Sequence, residues 1–242
     1  MTTIPRLHCD QPLATGAEVP GDEAAARYFG SVLRRGPGDP LLLFNARDGE
    51  FAATIAAVRK DRIAFTLGAR LRAPAAAVDI RLVVAVLKRD AMEWAVQKAT
   101  ELGVASIAPV FCLRSVPDRL NTDRLRAIAR EAAEQSERLD VPAIAEPMPL
   151  HRLLDGWDAT PLLVGAERAG AAPLPTALAG RRPPLALLVG PEGGFAGAEL
   201  DDMTRRAFVV PTSLGPRILR ADTAVVAALA VMQALAGDAS GP

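Results

Sequence analysis

The sequence is poor in the residues that most often carry chemistry by themselves. It has two cysteines, Cys9 and Cys112, and two histidines, His8 and His151. Four such residues spaced this widely match no zinc motif and form no disulfide framework. The simplest expectation is a reduced, metal-free cytoplasmic protein. Lysine is scarce as well: of 28 basic residues only Lys60, Lys88 and Lys98 are not arginine. Acidic residues also number 28, so there is no global positive field, and any nucleic-acid contact would need a local patch. An arginine excess suits phosphate, because the guanidinium fork is bidentate; a compositional bias of the genome would produce it equally well. The N-terminus lacks a basic region followed by an apolar core, so no secretory signal is expected. The apolar stretch near the C-terminus is too short and too alanine-rich to span a bilayer. No internal repeat is visible.

What is present is a chain of 242 residues, half of them apolar. That is enough for a substantial core in one large domain or two small ones. The chain is organised around Leu185 to Leu200. An apolar run of strand length, Leu185 to Val189, breaks at Gly190-Pro191-Glu192-Gly193-Gly194 and resumes as a helix from about Gly197. A buried strand emptying into a glycine turn ahead of a helix is the usual ligand position in an α/β sheet. The loop lacks the lysine and hydroxyl of a P-loop and is not G-x-G-x-x-G. A second glycine-broken loop, Ser213 to Arg220, follows Phe208 to Val210 and leads into an apolar helix from Ala224 to Ala236, with Asp222 or Thr223 as its cap. Two such loops suggest one shared pocket.

Upstream, residues 1 to about 72 read as a small β-rich unit. Strands are expected at Leu41 to Phe44, Phe51 to Val58 and Arg62 to Leu67, with an Asp-Gly turn at Asp48-Gly49 and a short helix from Ala24 to Leu33. Ala73 to Ala77 is a plausible linker. Beyond it strands and helices alternate. Ile80 to Leu87 is almost purely apolar, as a sheet covered on both faces requires. Asp90 is expected to cap the next helix, with Glu93 completing a capping box and Met92, Ala95, Val96, Ala99 and Leu102 forming its buried stripe. Ser106 to Phe111, a helix from Asn121 to Arg138, and Leu162 to Val164 continue the pattern. About five strands with intervening helices predict an α/β fold with a mainly parallel sheet.

Gly190-Pro191-Glu192-Gly193-Gly194-Phe195 together with Leu214-Gly215-Pro216-Arg217-Ile218-Leu219-Arg220 resembles the C-terminal signature of the SPOUT methyltransferases. More closely, the chain resembles the ribosomal RNA small subunit methyltransferase E family. Met92-Glu93-Trp94, the block Gln97 to Val104, and Glu131 to Ser136 match it in the same order. Asp222 departs from the pattern, which more often has glutamate before Thr-Ala; Tyr28 stands where many members carry histidine.

The resemblance implies a PUA-like RNA-binding β-barrel over residues 1–72, then a SPOUT domain with a deep trefoil knot over residues 73–242. It implies S-adenosyl-L-methionine as cofactor, N3 of a uridine in 16S rRNA as acceptor, the small ribosomal subunit as setting, and a homodimer. Candidate cofactor contacts are Leu163, Gly165 and Glu167 on one rim, Val189, Gly190, Gly193 and Gly194 on the second, and Leu214, Gly215, Ile218, Leu219 and Thr223 on the third. Uridine N3 must lose a proton to attack, so a base or a cation that stabilises the developing oxyanion would lower the barrier. Arg220 is the first cationic candidate and Arg217 the second, with Glu192 as a candidate base. Arg6, Arg34 and Arg114 are the candidate RNA contacts. Another SPOUT methyltransferase, acting on a ribose 2′-hydroxyl or on tRNA, and a non-catalytic RNA-binding assembly factor are the competing readings. The two intact glycine loops favour an enzyme over the latter.

Overall fold

The computed structural model describes residues 4–165 and 170–240. The chain divides into two compact units. One holds the chain up to Ala76 together with Ala133–Asp140; the other holds Ala77–Ala132 and the chain from Val141 onward. The sequence boundary at residue 72 leaves the 133–140 segment out of the first unit.

The first unit is a five-stranded sheet in the order β1-β3-β4-β5-β2. Its strands are β1 (Arg6–His8), β2 (Glu18–Gly21), β3 (Pro40–Asn45), β4 (Gly49–Val58) and β5 (Ile63–Arg72). β1 runs parallel to β3, and the remaining neighbours are antiparallel. The β3–β4 hairpin turns where Asp-Gly predicts it. Asn45 Oδ1 accepts from the Asp48 amide at 2.7 Å, and Gly49 has φ +91°, where a Cβ would strike the Arg72 carbonyl. A helix, α1 (Glu23–Arg27), is capped by Asp22, whose carboxylate accepts from the Ala25 amide at 2.8 Å. It loosens into a π-helical turn, Tyr28–Val32. The core between helix and sheet is built from Phe29, Leu41, Leu43, Ile55 and Phe65.

Arg6 explains why residues 133–140 belong to this unit. Its guanidinium donates to the carbonyls of Ala133, Glu134 and Arg138 at 3.0, 2.8 and 2.8 Å and to Glu50 Oε1 at 2.7 Å. Arg72 also holds Glu50 and donates to the Glu137 carbonyl. A helix C-terminus leaves carbonyls without partners, and these two arginines supply the donors. Arg6, expected among the RNA contacts, is instead placed as a latch within this unit: its side chain is 6 % exposed and its donors point to protein acceptors. Arg34 is exposed, in a left-handed turn at φ +53°.

The second unit is an α/β layer structure in which every strand pairing is parallel. Its strands are β6 (Ile80–Ala85), β7 (Ser106–Phe111), β8 (Ala143–Ile144), β9 (Met148–Pro149), β10 (Leu162–Gly165), β11 (Ala172–Pro173), β12 (Leu185–Val189) and β13 (Val209–Ser213). The order is β11-β13-β10-β12-β6-β7-β8, with β9 beside β7. The five expected strands form its body; the two-residue strands β8, β9 and β11 carry too little pattern to be seen in sequence. The helices are α2 (Arg89–Glu101), α3 (Thr122–Gln135), α4 (Leu150–Asp155), α5 (Leu174–Leu178), α6 (Gly197–Thr204) and α7 (Ala221–Ala236). All of β12 is buried, which its unbroken apolar run demands.

Two expected caps are wrong by a residue or two. α2 begins at Arg89 behind Lys88, and no side chain caps it; Glu93 pairs instead with Arg89 and Arg124. α7 begins at Ala221 behind Arg220, so Asp222 and Thr223 lie inside its first turn. Asp222 is still favourably placed there, because a carboxylate in the first turn opposes the helix dipole.

Candidate active site

Because β10, β12, β13 and β6 are parallel neighbours, the loops leaving all four emerge at one edge of the sheet. A cavity of about 1190 Å³ opens there. It exceeds the usual range for a small-molecule site, roughly 300–1,000 Å³, so it has room for more than one ligand group.

The β12–α6 loop forms one wall. Val189, Gly190, Glu192, Gly193 and Gly194 all line the cavity. Gly190 is required by packing, since a Cβ would lie 2.8 Å from the Phe195 ring. Gly194 takes φ +68°, a left-handed conformation that glycine tolerates. The β13–α7 loop forms the facing wall with Leu214, Gly215, Arg217, Ile218, Leu219 and Arg220. Gly215 has φ +109°. Beneath them, Thr212 is buried and its hydroxyl donates to the Val164 carbonyl at 3.1 Å, which ties β13 to β10 where both end. Gly165 lines the floor, and a Cβ there would meet nothing within 4 Å among the described residues.

The third wall had no signal in a glycine motif. It comes from the entry to α2, with Lys88, Arg89, Asp90, Ala91 and Trp94. The β7–α3 loop adds Arg114. Its Nη1 donates to the Gly193 carbonyl at 3.1 Å, so the residue expected on RNA lies at the cavity and is joined to its glycine wall. Two further bonds hold the walls. Glu192 Oε1 accepts from the Lys88 amide at 3.4 Å. Glu199 Oε2 accepts from the Ala196 amide and Oε1 from the Leu113 amide, both at 2.8 Å. Ala196 has no side chain able to cap α6, so Glu199 does this from the third helical position.

Thus Arg220, Arg217 and Glu192 come together with most of the expected cofactor residues. Leu163 does not join them, because its side chain is closed in the core of β10. Thr223 is exposed on the first turn of α7 and bonds Asp222. Glu167 lies outside the described residues. Among the described residues, the guanidinium groups of Arg217 and Arg220 make no hydrogen bond or ion pair. Both are exposed. Neither Asp222, which is bonded to Thr223, nor Glu192, which is turned to Lys88, ties Arg220 down. A shallower hollow of about 500 Å³ lies at the start of α3, between Arg119 and Asp123 and beside Glu146; no glycine loop borders it.

Residues 74–233 match the RNA methyltransferase domain family. Ribosomal RNA small subunit methyltransferase E of Rickettsia conorii is 31% identical over 232 residues, covering 95% of each chain. The chain belongs to the ribosomal RNA small subunit methyltransferase E family. The Bacillus subtilis member is 30% identical over 231 residues, covering 88% of each chain. Among solved structures, the Neisseria gonorrhoeae member of this family, bound to S-adenosyl methionine, superposes with a TM-score of 0.86. It is 28% identical and covers 98% of this chain and 99% of that one. A Legionella pneumophila protein in complex with the bound cofactor SAM superposes at 0.87, with 29% identity, covering 98% and 100%. The mainly parallel sheet of the second unit agrees with the SPOUT architecture that the glycine-loop signature implies.

Proposed function

We propose that this chain methylates N3 of a uridine in 16S rRNA within the small ribosomal subunit. It is an rRNA methyltransferase, and its methyl donor is S-adenosyl-L-methionine. The observation that carries the finer reading is the cavity at the carboxyl edge of the parallel sheet, walled by two glycine loops, with two guanidinium groups on its rim that are unpaired among the described residues.

The cavity fits the cofactor chemically. Open backbone at Gly165, Gly194 and Gly215, where a Cβ would meet no atom of the described residues within 4 Å, offers amides and carbonyls to a nucleoside. Val189, Leu214 and Leu219 offer apolar walls. When bound, S-adenosylmethionine supplies an electrophilic methyl group on a sulfonium. The chain's own task is then to hold the acceptor and favour its anion. Arg220 can donate to a uracil carbonyl oxygen as N3 loses its proton, a charge-assisted bond that strengthens as negative charge develops. Arg217 is the second such donor. Glu192, steadied by the Lys88 amide, is the candidate proton acceptor.

Several finer features belong to the same proposal. The trefoil knot of SPOUT enzymes is part of this reading, carried by the family resemblance. The mixed five-stranded sheet is read as PUA-like, with Arg34 on RNA. A homodimer and a cytoplasmic location complete the reading. Among the described residues no helix is long and apolar enough to cross a membrane, and no cluster of metal-ligating side chains occurs.

The test is Arg220→Ala beside Arg220→Lys, assayed on small subunits lacking the methyl group. Loss of one oxyanion donor should lower kcat by roughly 10²–10³-fold, with cofactor affinity unchanged. Lysine keeps the charge and loses the planar fork, so a substantial recovery by lysine would assign the role to charge alone. Full activity of Arg220→Ala would remove Arg220 from the mechanism. Mapping the methylated position by mass spectrometry would decide between N3 of uridine and any other acceptor.

A further inference from the structure

We propose that Trp94 is the platform on which the acceptor base stacks once it has been turned out of its RNA strand. The inference rests on the rRNA methyltransferase reading above and assigns a substrate contact within that site. α2 buries Met92, Ala95, Val96 and Ala99 in the core. Trp94 follows Met92 by two residues, about 200° further round the helix, and so points away from that stripe. Its side chain lines the cavity and is 40 % exposed.

The chain's other tryptophan shows what the fold does with an indole that serves packing. Trp157 Nε1 donates to the Thr160 carbonyl at 2.9 Å, and its ring lies 6.4 Å from Phe208. Trp94 has no such acceptor and no aromatic neighbour among the described residues. The aromatic face that it leaves open at the cavity is a surface on which a planar ring can stack.

The charge around Trp94 says which ligand. Lys88, Arg89, Arg114, Arg217 and Arg220 line the same cavity against Asp90, Glu192 and Asp222, and Arg217 and Arg220 have no acidic partner among the described residues. An aromatic face beside a row of cations is the composition that holds single-stranded nucleic acid, with bases on the ring and phosphates on the charges. A base embedded in a folded RNA must lose its stacking before its ring atoms can be reached. The Trp94 indole returns a stacking partner at the place where the methyl is transferred.

The experiment uses the full chain carrying Trp157→Phe, so that Trp94 is the sole tryptophan. Its emission is titrated with a 16S rRNA fragment carrying the methylated uridine, and with the same fragment carrying dihydrouridine there. Dihydrouridine keeps the N3 hydrogen and both carbonyls but has a saturated, puckered ring. We expect quenching by the uridine fragment and little by the dihydrouridine one. On small subunits, Trp94→Ala should raise KM for the subunit on the order of tenfold or more, with cofactor affinity unchanged. Trp94→Phe should recover most of the loss. Emission indifferent to methylatable RNA, or an unchanged KM in folded Trp94→Ala, would overturn the proposal. So would emission that follows protein concentration and not RNA, since that would put a second copy over the ring. A wild-type chain that binds cofactor and methylates no small-subunit RNA would sink the functional reading itself, and this inference with it.

Discussion

The amide of Leu113 donates to Glu199 Oε1 at 2.8 Å, across 86 residues of sequence. The other carboxylate oxygen takes the Ala196 amide at the start of α6. One side chain thereby fastens the loop that carries Arg114 to the loop that carries Gly193. Both partners of Glu199 are donors, so both of its oxygens must be acceptors. This requirement leads directly to the first test.

Glu199→Gln should fail although it is nearly isosteric. An amide has one oxygen, and its NH2 group would face an N–H. One of the two amides, the exposed Leu113 or the half-buried Ala196, then loses its acceptor, a loss of about 0.5–1.5 kcal/mol. We expect a lower melting temperature and weaker S-adenosylmethionine binding by calorimetry. Wild-type values for both would show that the bridge does not shape the site.

Gly165→Ala separates the cavity's ligand from its fold. Among the described residues a Cβ at this position meets no atom within 4 Å, so the free protein should melt as the wild type does. The added methyl projects from a residue that lines the cavity. Cofactor affinity should fall at least tenfold, and the rise in melting temperature on adding S-adenosylmethionine should shrink accordingly. An undiminished rise would place the cofactor away from β10.

Arg6 and Arg34 should behave in opposite ways. Arg6→Ala leaves carbonyls of residues 133–138 and one side of Glu50 without donors, and should destabilise the protein by about 3 kcal/mol. Arg34→Ala should leave stability unchanged, weaken RNA binding and reduce its salt dependence by about one released counterion. Chemical denaturation and filter binding at two salt concentrations distinguish the pair. An Arg6→Ala variant of full stability would refute the latch.

Glu50 adds a pH dependence. Burial pushes its carboxyl pKa up, but hydrogen bonds from Arg72 and Arg6 outweigh burial and leave it below the ordinary glutamate value. The unfolded chain therefore takes up this proton at a higher pH than the folded chain does. Stability from the site is complete above the ordinary glutamate range and is lost as pH falls through the lower folded value. Unfolding free energy should decline less steeply below pH 5 in Glu50→Gln than in the wild type. Parallel slopes would mean that Glu50 does not titrate with folding.

Much of the cavity was legible in the chain. Gly190, Gly193, Gly194 and Gly215 mark it because backbone turns of that tightness restrict residue choice locally. Val189 and Leu219 flank those turns and come with them. The wall made by α2 and Arg114 was not legible as a wall. Trp94 stands in a plain amphipathic helix, and Arg114 in a loop with no turn motif; only the parallel pairing of β6 with β12 and β7 brings both to the same edge.

By itself, then, the sequence determined what depends on near neighbours: alternating strands and helices, the apolar run that must lie inside a sheet, and the glycine loops that turn beside a ligand. Tertiary structure decided what depends on distant ones. Arg6 looks like a surface cation until the carbonyls of residues 133–138 and the carboxylate of Glu50 close around it. Arg220 has the same charge and, among the described residues, keeps no protein partner. The two cannot be told apart from composition or spacing, because a guanidinium carries the same charge and the same five donors everywhere. What it binds is set by which acceptors the fold carries within hydrogen-bond reach, and for Arg6 those acceptors lie 44 to 132 residues away.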